Sequence, residues 1–210
     1  LASFDEVLAL LQQQDPASLD LHLNGHGETT IHPHWLPFAQ KVLSLGFRPQ
    51  LITNLARPLR DEEVEVLAGF SVICVSLDTV NAELLGRMRR GVALEDLERN
   101  LRRIRAAGAV HPPAFRLSCG VYDQTARDLE RLGPFCAEHG VGAITFWQLV
   151  KYPDLPDALN ARPIPALPEP ERSACVQAFE RAVASLQARG VVVDVAGGFL
   201  EEWKRDLAPA

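Results

Sequence analysis

Six short segments of the chain carry the apolar and β-branched pattern that is typical of strands. Residues 71–77, Ser-Val-Ile-Cys-Val-Ser-Leu, are almost continuously apolar, as in strands that are buried on both faces of a parallel sheet. Residues 18–24 alternate instead, with Leu19, Leu21 and Leu23 separated by polar positions. The predicted strands are residues 18–24, 49–53, 71–77, 115–119, 143–149 and 191–195.

Helical patterns fill the intervals between these strands. The predicted helices are residues 4–13, 33–45, 61–67, 94–107, 126–139 and 171–187, and residues 77–94 predict a loop or a short helix. Four helices are followed by a glycine suited to a left-handed cap: Gly46, Gly108, Gly140 and Gly190. Strands that alternate with helices predict an α/β protein with a parallel sheet, either doubly wound or curved into a closed or partial barrel.

Length and composition narrow the class of protein. The 210 residues are enough for one sizeable core, and 47% hydrophobic with 23% charged residues is ordinary for a soluble protein. The net charge of -6 argues against non-specific binding to nucleic acid, which needs a positive field. No apolar run reaches the roughly 18 residues of a membrane span, and no signal peptide precedes the first helix, so a cytoplasmic protein is expected.

Polar residues follow most of the predicted strands. They are the stretch Asn24–Thr30 after the first strand, Thr53 and Asn54 after the second, Ser76 and Asp78 after the third, and Ser118 and Gln148 near the ends of the fourth and fifth. Because ligands of parallel α/β folds gather at the carboxyl ends of the strands, these residues predict a binding pocket.

The same positions resemble the motifs of the radical S-adenosylmethionine (radical SAM) superfamily. Gly25-His26-Gly27-Glu28 resembles the Gly-Gly-Glu-Pro motif after the second strand of that domain. Leu51-Ile52-Thr53-Asn54 is similar to the Thr-Asn-Gly ending of its third strand, and Val75-Ser76-Leu77-Asp78 to the Val-Ser-Leu-Asp ending of its fourth. Arg89-Arg90-Gly91 before a long helix resembles an Arg-x-Gly step. The resemblance covers residues 1–152.

This resemblance implies a fold, a reaction and a set of site residues. The fold is a partial parallel (β/α)6 TIM-like barrel that lacks its first strand here, with a core of residues 1–155, a proline-rich connector of 156–170 and a C-terminal segment of 171–210. The reaction is reductive cleavage of SAM at a 4Fe-4S cluster to a 5′-deoxyadenosyl radical, which abstracts hydrogen from an unknown substrate. The implied SAM-binding residues are Gly25, His26, Gly27, Glu28, Ser76 and Asp78, and the substrate-side residues are Thr53, Asn54, Arg89 and Gln148.

Each implied role has a physical basis. Glycines let the backbone approach the methionine part of SAM closely, and Glu28 can accept a charge-assisted hydrogen bond from its ammonium group. Ser76 and Asp78 are placed for the ribose hydroxyls or the carboxylate end.

Cysteine spacing marks the main departure from the family. The family's Cys-x-x-x-Cys-x-x-Cys loop belongs upstream of the first helix, so the cluster ligands are expected before Leu1 and no metal site is expected in this chain. The four cysteines, Cys74, Cys119, Cys136 and Cys175, are far apart and form no metal-binding pair. The chain alone is therefore expected to be inactive, and the full enzyme to need an external electron donor such as flavodoxin or ferredoxin. Smaller departures are Thr29 in place of proline and Leu55 in place of glycine.

Two other functions remain open at the level of sequence. Without a cluster, the domain would be a non-catalytic module that binds SAM or a partner protein. Alternatively, His32-Pro33-His34 is a His-x-His pair, of the kind that binds zinc in barrel hydrolases. Against zinc, these histidines open a predicted helix and do not close a strand.

Overall fold

The computed structural model describes residues 3–25, 27–89, 91–148 and 162–205. The strands are β1 (Gln50–Thr53), β2 (Val72–Ser76), β3 (Ala114–Val121), β4 (Val141–Gln148) and β5 (Val192–Val195). The helices are α1 (Phe4–Leu11), α2 (Trp35–Ser44), α3 (Asp61–Ala68), α4 (Ala82–Met88), α5 (Leu94–Ala107), α6 (Asp123–Ala126), α7 (Leu132–His139), α8 (Glu169–Gln187) and α9 (Phe199–Lys204). Turns of 3-10 helix cover Pro16–Ser18, Thr29–Ile31, Leu129–Arg131, Ile164–Ala166 and Ala196–Gly198.

The five strands form one sheet in which the strand order follows the chain, β1-β2-β3-β4-β5. β1 and β2 are parallel, with Gln50 opposite Val72, and β4 and β5 are parallel, with Ala143 opposite Val192. At least one helix separates each strand from the next. The predicted α/β class with a parallel sheet is therefore confirmed.

The chain forms two compact units. Unit 1 comprises Leu1–Val75 and Glu95–Phe115, and unit 2 comprises Ser76–Leu94 and Arg116–Ala210. The predicted boundary at residue 155 lies outside the described residues, so the division into core, connector and C-terminal segment stays a prediction.

The core of unit 1 is built on amphipathic helices. Leu11 of α1 packs with Val42 of α2 and with Phe47, and half-buried apolar residues that include Leu21 and Leu23 surround this cluster. The buried stripe of α5 is apolar except at one position, Asn100. A polar side chain in such a stripe must find hydrogen-bond partners. The Asn100 amide finds them in the loop after β1, where it donates to the carbonyls of Leu55 and Arg57.

The core of unit 2 centres on aromatic rings. Phe179 of α8 lies 5.0 Å, centroid to centroid, from Phe146 of β4 and 5.5 Å from Trp203 of α9. The Phe199 and Trp203 rings lie 4.5 Å apart. All four rings are buried, so α9, a helix that was not predicted, is tied to the core of unit 2.

The predicted strand at residues 18–24 is wrong in extent. Only His22 forms a parallel bridge, opposite Gln50, while Pro16–Ser18 is a 3-10 turn. The backbone pairing with β1 ends after this bridge because side chains supply the next hydrogen bonds. The Asn24 amide donates to the carbonyl of Ile52, and the Thr29 hydroxyl donates to the carbonyl of Leu23.

The predicted helix at residues 126–139 is wrong in extent: its second part is α7, which ends at His139 as predicted, but α6 ends at Ala126 and a 3-10 turn precedes α7. Pro134 has no N–H to donate and is tolerated only in the first turn of a helix, so α7 begins at Leu132. Residues 77–94 contain a short helix, α4, capped by the Asn81 side chain.

The four predicted glycine caps do not behave alike. Gly46, Gly140 and Gly190 have positive φ as predicted, but Gly108 does not. At Gly108 a Cβ would lie 2.9 Å from the Cα of Pro112, so this glycine serves a close backbone approach.

α8 begins at Glu169, two residues earlier than predicted, because Pro170 fits its first turn. No helix in the described ranges is long and apolar enough to cross a bilayer.

Candidate functional site

The Glu28 carboxylate is the centre of the hydrogen-bond network in unit 1. Glu28 caps the Thr29–Ile31 turn, where its Oε1 accepts from the Thr30 N–H at 3.1 Å and from the Thr30 hydroxyl at 2.7 Å. From the end of β1, the Thr53 hydroxyl donates to the same oxygen at 2.7 Å, and the Asn54 N–H donates to Oε2 at 2.8 Å. All four donors are neutral, so the carboxylate is held in place while its charge is not cancelled by them.

The loop after β1 has an unusual backbone. Leu55 has a φ of +47°, and no other described non-glycine residue has a positive φ. Its N–H donates to the Thr53 hydroxyl at 3.1 Å, and its carbonyl accepts from the buried Asn100 amide at 3.0 Å. Since the left-handed region favours glycine, Leu55 carries a conformational cost that a glycine at this position would avoid.

A buried ion pair supports the same loop. Arg57 donates through both terminal nitrogens to the Glu63 carboxylate, at 3.0 and 2.7 Å, and Nη2 also donates to the carbonyl of Thr30 at 2.7 Å. Burial by itself would raise the pKa of Glu63, but hydrogen bonds from Arg57 and from the backbone and side chain of Arg60 outweigh it and lower the pKa to about 2. Glu63 therefore stays ionised at any ordinary working pH.

A cavity of about 640 Å³ opens beside Glu28. Its polar lining includes Gly25, Gly27, Glu28 and His32, and its apolar lining includes Leu23, Trp35, Phe38 and Phe70. Gly27 has a φ of +95°, and no heavy atom lies within 4 Å of the place that a Cβ would take, so its backbone faces open space. His26 lies outside the described residues.

In unit 2 the Asp78 carboxylate also accepts hydrogen bonds at the end of a strand. It follows the end of β2, and its Oδ1 accepts from the Gly120 N–H of β3 at 2.8 Å. Its Oδ2 accepts from Arg89 Nε, also at 2.8 Å, so the two residues form an ion pair in which the Asp78 side chain is 10% exposed. Asp78 and Arg89, predicted as SAM-side and substrate-side residues, are thus each other's partners.

Three further predicted site residues, Ser76, Gln148 and Thr53, lie at the ends of strands β2, β4 and β1. Ser76 and Gln148 are half-buried at the ends of β2 and β4, and no hydrogen bond found among the described residues joins either to Asp78. The Thr53 hydroxyl donates to Glu28 and accepts from the Leu55 N–H, and its predicted role toward a substrate stays a prediction.

Sequence reasoning missed Arg57, Glu63 and Asn100 in unit 1, and the clamp on Asp78 in unit 2. Only Asn100 carried a signal, as the polar residue in the otherwise apolar stripe of α5. A further polar cavity of about 430 Å³ in unit 2 was also not predicted; Arg162 lies at its edge, paired with Asp123 at 3.2 Å and with Glu171 at 2.7 Å.

The cysteines do not fit a cluster or a metal. None of the four forms a disulfide bond, and three of them, Cys119, Cys136 and Cys175, are buried. Burial raises the pKa of each of these three thiols, that of Cys136 to about 12, so they are poor sources of the thiolate that an iron ligand requires.

The described residues contain no cluster of three or more His, Cys, Asp or Glu side chains that could hold a metal ion. In the His-x-His pair, Nδ1 of His32 accepts from the His34 N–H at 3.2 Å, so the first histidine is already used within the turn.

The chain has the fold of radical SAM domains. By sequence it matches no protein-family model and no curated protein. In structure it is similar to SuiB from Streptococcus suis bound to its precursor peptide SuiA, with a TM-score of 0.67 and 16% identity over 95% of this chain and 43% of that chain.

Two further solved structures support this fold. Native anSMEcpe with bound AdoMet and a peptide has a TM-score of 0.62 and 16% identity, over 90% of this chain and 54% of that chain. TsrM from Kitasatospora setae, a radical S-adenosylmethionine methyltransferase solved with cobalamin and a 4Fe-4S cluster, has a TM-score of 0.52 and 17% identity, over 70% and 28%. The chain therefore spans between 28% and 54% of the length of these three proteins.

Proposed function

We propose that this chain is the SAM-binding part of a radical SAM enzyme and that its sheet belongs to a partial (β/α)6 barrel. The observation that carries the proposal is the Glu28 carboxylate, held at the end of β1 by neutral donors only. Oε1 takes three of these donors and Oε2 takes one, so Oε2 keeps acceptor capacity for an ammonium group. Among the described side chains no cation pairs with Glu28, so its charge is available to a ligand.

The cavity beside Glu28 supports the same ligand. A volume of about 640 Å³ lies within the usual range for small-molecule sites. SAM combines an adenine ring, whose faces are apolar, with a methionine part that bears an ammonium, a carboxylate and a sulfonium. Trp35, Phe38 and Phe70 offer apolar walls to the former, while Glu28 offers its carboxylate to the latter.

The proposed activity belongs to the whole enzyme. Reductive cleavage of SAM requires an electron from a 4Fe-4S cluster, and the cysteines Cys119, Cys136 and Cys175 do not fit one. We therefore assign to this chain the binding and orientation of SAM, without cleavage. The substrate and the external electron donor, such as flavodoxin or ferredoxin, act with the complete protein in this proposal.

Calorimetric titration of SAM into the purified chain tests the proposal. We expect measurable binding, and Glu28→Gln should weaken it at least tenfold, about 1.4 kcal/mol, because the ammonium loses an anionic acceptor. Glu62→Gln is the matched control, since Glu62 is exposed in the same unit and contacts Gln40 instead. Absence of SAM binding to the unaltered protein, or equal affinity in the Glu28 and Glu62 variants, contradicts the proposal.

A further inference from the structure

Arg57 joins two segments of unit 1 that are far apart in the chain. Its Nη2 donates to the carbonyl of Thr30, 27 residues earlier, and also to Glu63 Oε1 at the start of α3. Thr30 is the residue whose N–H and hydroxyl both bind Glu28 Oε1. Arg57 therefore holds, through its carbonyl, the residue whose N–H and hydroxyl fix the Glu28 carboxylate.

Glu63 makes this support rigid. Its carboxylate is buried, with 3% of the side chain exposed, and accepts both terminal nitrogens of Arg57 in a two-pronged contact. It also accepts the Arg60 N–H at 2.8 Å, which anchors it at the start of α3. A planar guanidinium held at two points has a fixed direction, so the third bond, to the Thr30 carbonyl, is fixed as well.

Asn100 completes the frame on the other side. Its amide donates to the carbonyls of Leu55 and Arg57, at 3.0 and 2.7 Å, from the buried face of α5. The backbone that carries Arg57 is thus immobilised together with its side chain. Arg57, Glu63 and Asn100 are not among the described residues that line the cavity beside Glu28, so their effect on a ligand there is indirect.

We propose that Arg57, oriented by Glu63, is a positioning residue for ligand binding at Glu28. This inference rests on the proposed function for its ligand, SAM, and goes beyond it by assigning a role to residues outside the family motifs. Without Arg57, the Thr29–Ile31 turn loses its anchor, and the Glu28 carboxylate departs from the place set by Thr53 and Asn54.

Two measurements on the purified chain test the inference, with Arg57→Lys as the variant. Lysine keeps the charge but cannot bridge Glu63 and the Thr30 carbonyl together. We expect the SAM dissociation constant to rise about tenfold. We also expect the amide resonance of Asn54 to shift in the ligand-free protein, because that N–H donates to Glu28, and no hydrogen bond among the described residues joins Asn54 to Arg57.

Arg103→Lys is the matched control. Arg103 supports the same loop through the carbonyl of Leu59 and through Asp61, both at 2.5 Å, and has no described contact with Thr30 or Glu28. Its loss should lower the unfolding midpoint while leaving the SAM dissociation constant within twofold and the Asn54 resonance in place.

The outcomes are separable. SAM affinity within twofold of the unaltered protein in Arg57→Lys overturns the inference, as does weakening in both variants in proportion to their lost stability. If the unaltered chain binds no SAM, the proposed function fails, and the Asn54 resonance alone decides: an unmoved resonance in Arg57→Lys refutes the positioning role. If Arg57→Lys does not fold, Glu63→Gln replaces it with the same readouts, because it removes the anchor of the guanidinium.

Discussion

Glu28 of unit 1 is held by donors that include residues at and just after the end of β1, and Asp78 of unit 2 follows the end of β2, yet among the described residues only Asp78 is paired with a cation. Four neutral donors hold Glu28, whereas Asp78 receives one backbone N–H and the guanidinium of Arg89. In unit 1 the nearby guanidinium of Arg57 is directed at a different acid, Glu63.

This difference distinguishes a carboxylate that is part of an internal ion pair from one that is available to a ligand, which the sequence alone does not do. A carboxylate paired with arginine has its charge compensated within the protein, and a ligand cation gains little by approaching it. A carboxylate held by amide and hydroxyl dipoles is ordered but keeps its net charge, as an acceptor for an ammonium group must. Glu28 therefore suits a cationic ligand, whereas Asp78 suits a structural connection from β2 to β3 and to the segment after α4.

Isosteric removal of charge gives the sharpest contrast between the two acids. We expect Asp78→Asn to lower the free energy of unfolding by about 3 kcal/mol, because Arg89 is left without its anion in a largely buried site. Glu28→Gln should cost only about 1 kcal/mol, since one N–H donor loses its acceptor but no cation is stranded.

Urea titration monitored by circular dichroism measures both values. Glu130→Gln serves as the control, because the ion pair of Glu130 with Arg181 is exposed and its loss should change stability by less than about 0.5 kcal/mol. Equal costs for Asp78→Asn and Glu28→Gln would remove the distinction between the two acids.

The sequence predicted where these acids lie but not what they contact. β2 and β5 were recognised because their β-branched runs are local signals, and Glu28, Thr53 and Asp78 were placed at strand ends for the same reason. The Asp78 contacts join residues 11 and 42 positions apart, so no local pattern encodes them. Residues 18–24 do not form a full strand, because the side chains of Asn24 and Thr29 donate to backbone carbonyls that a longer strand would pair. No local sequence pattern encodes these side-chain bonds.

Acid titration tests the claim that the guanidinium of Arg57 is paired with an ionised Glu63. The pKa of Glu63 is about 2 in the folded protein against an ordinary value of 4.5, so its ionised form contributes stability that is fully present above pH 4.5 and is lost as the pH falls toward 2. We expect Glu63→Gln to cost about 2 kcal/mol at pH 7, a value reduced by solvent screening of the partly exposed Arg57 and Arg60.

The measurement is the unfolding free energy of the variant and of the unaltered protein from pH 7 to pH 2.5. Their difference should be constant down to about pH 5 and shrink below it. A difference that is the same at pH 3 as at pH 7 would show that Glu63 contributes through packing and not through its charge.

A small difference in stability is expected in the loop after β1, which connects Thr53, a donor to Glu28, with Arg57, the partner of Glu63. Leu55 is 1% exposed and has a φ of +47°, so its side chain stabilises the core while its backbone conformation costs about 1 kcal/mol. Both Leu55→Ala and Leu55→Gly lose the buried side chain, but only glycine relieves the backbone. We therefore expect Leu55→Gly to be more stable than Leu55→Ala by about 1 kcal/mol.

At Leu51, equally buried but within β1, the order should reverse, because glycine in a strand costs more than alanine. The four variants need only their urea midpoints, and the same order at both leucines would mean that the left-handed turn after β1 carries no strain.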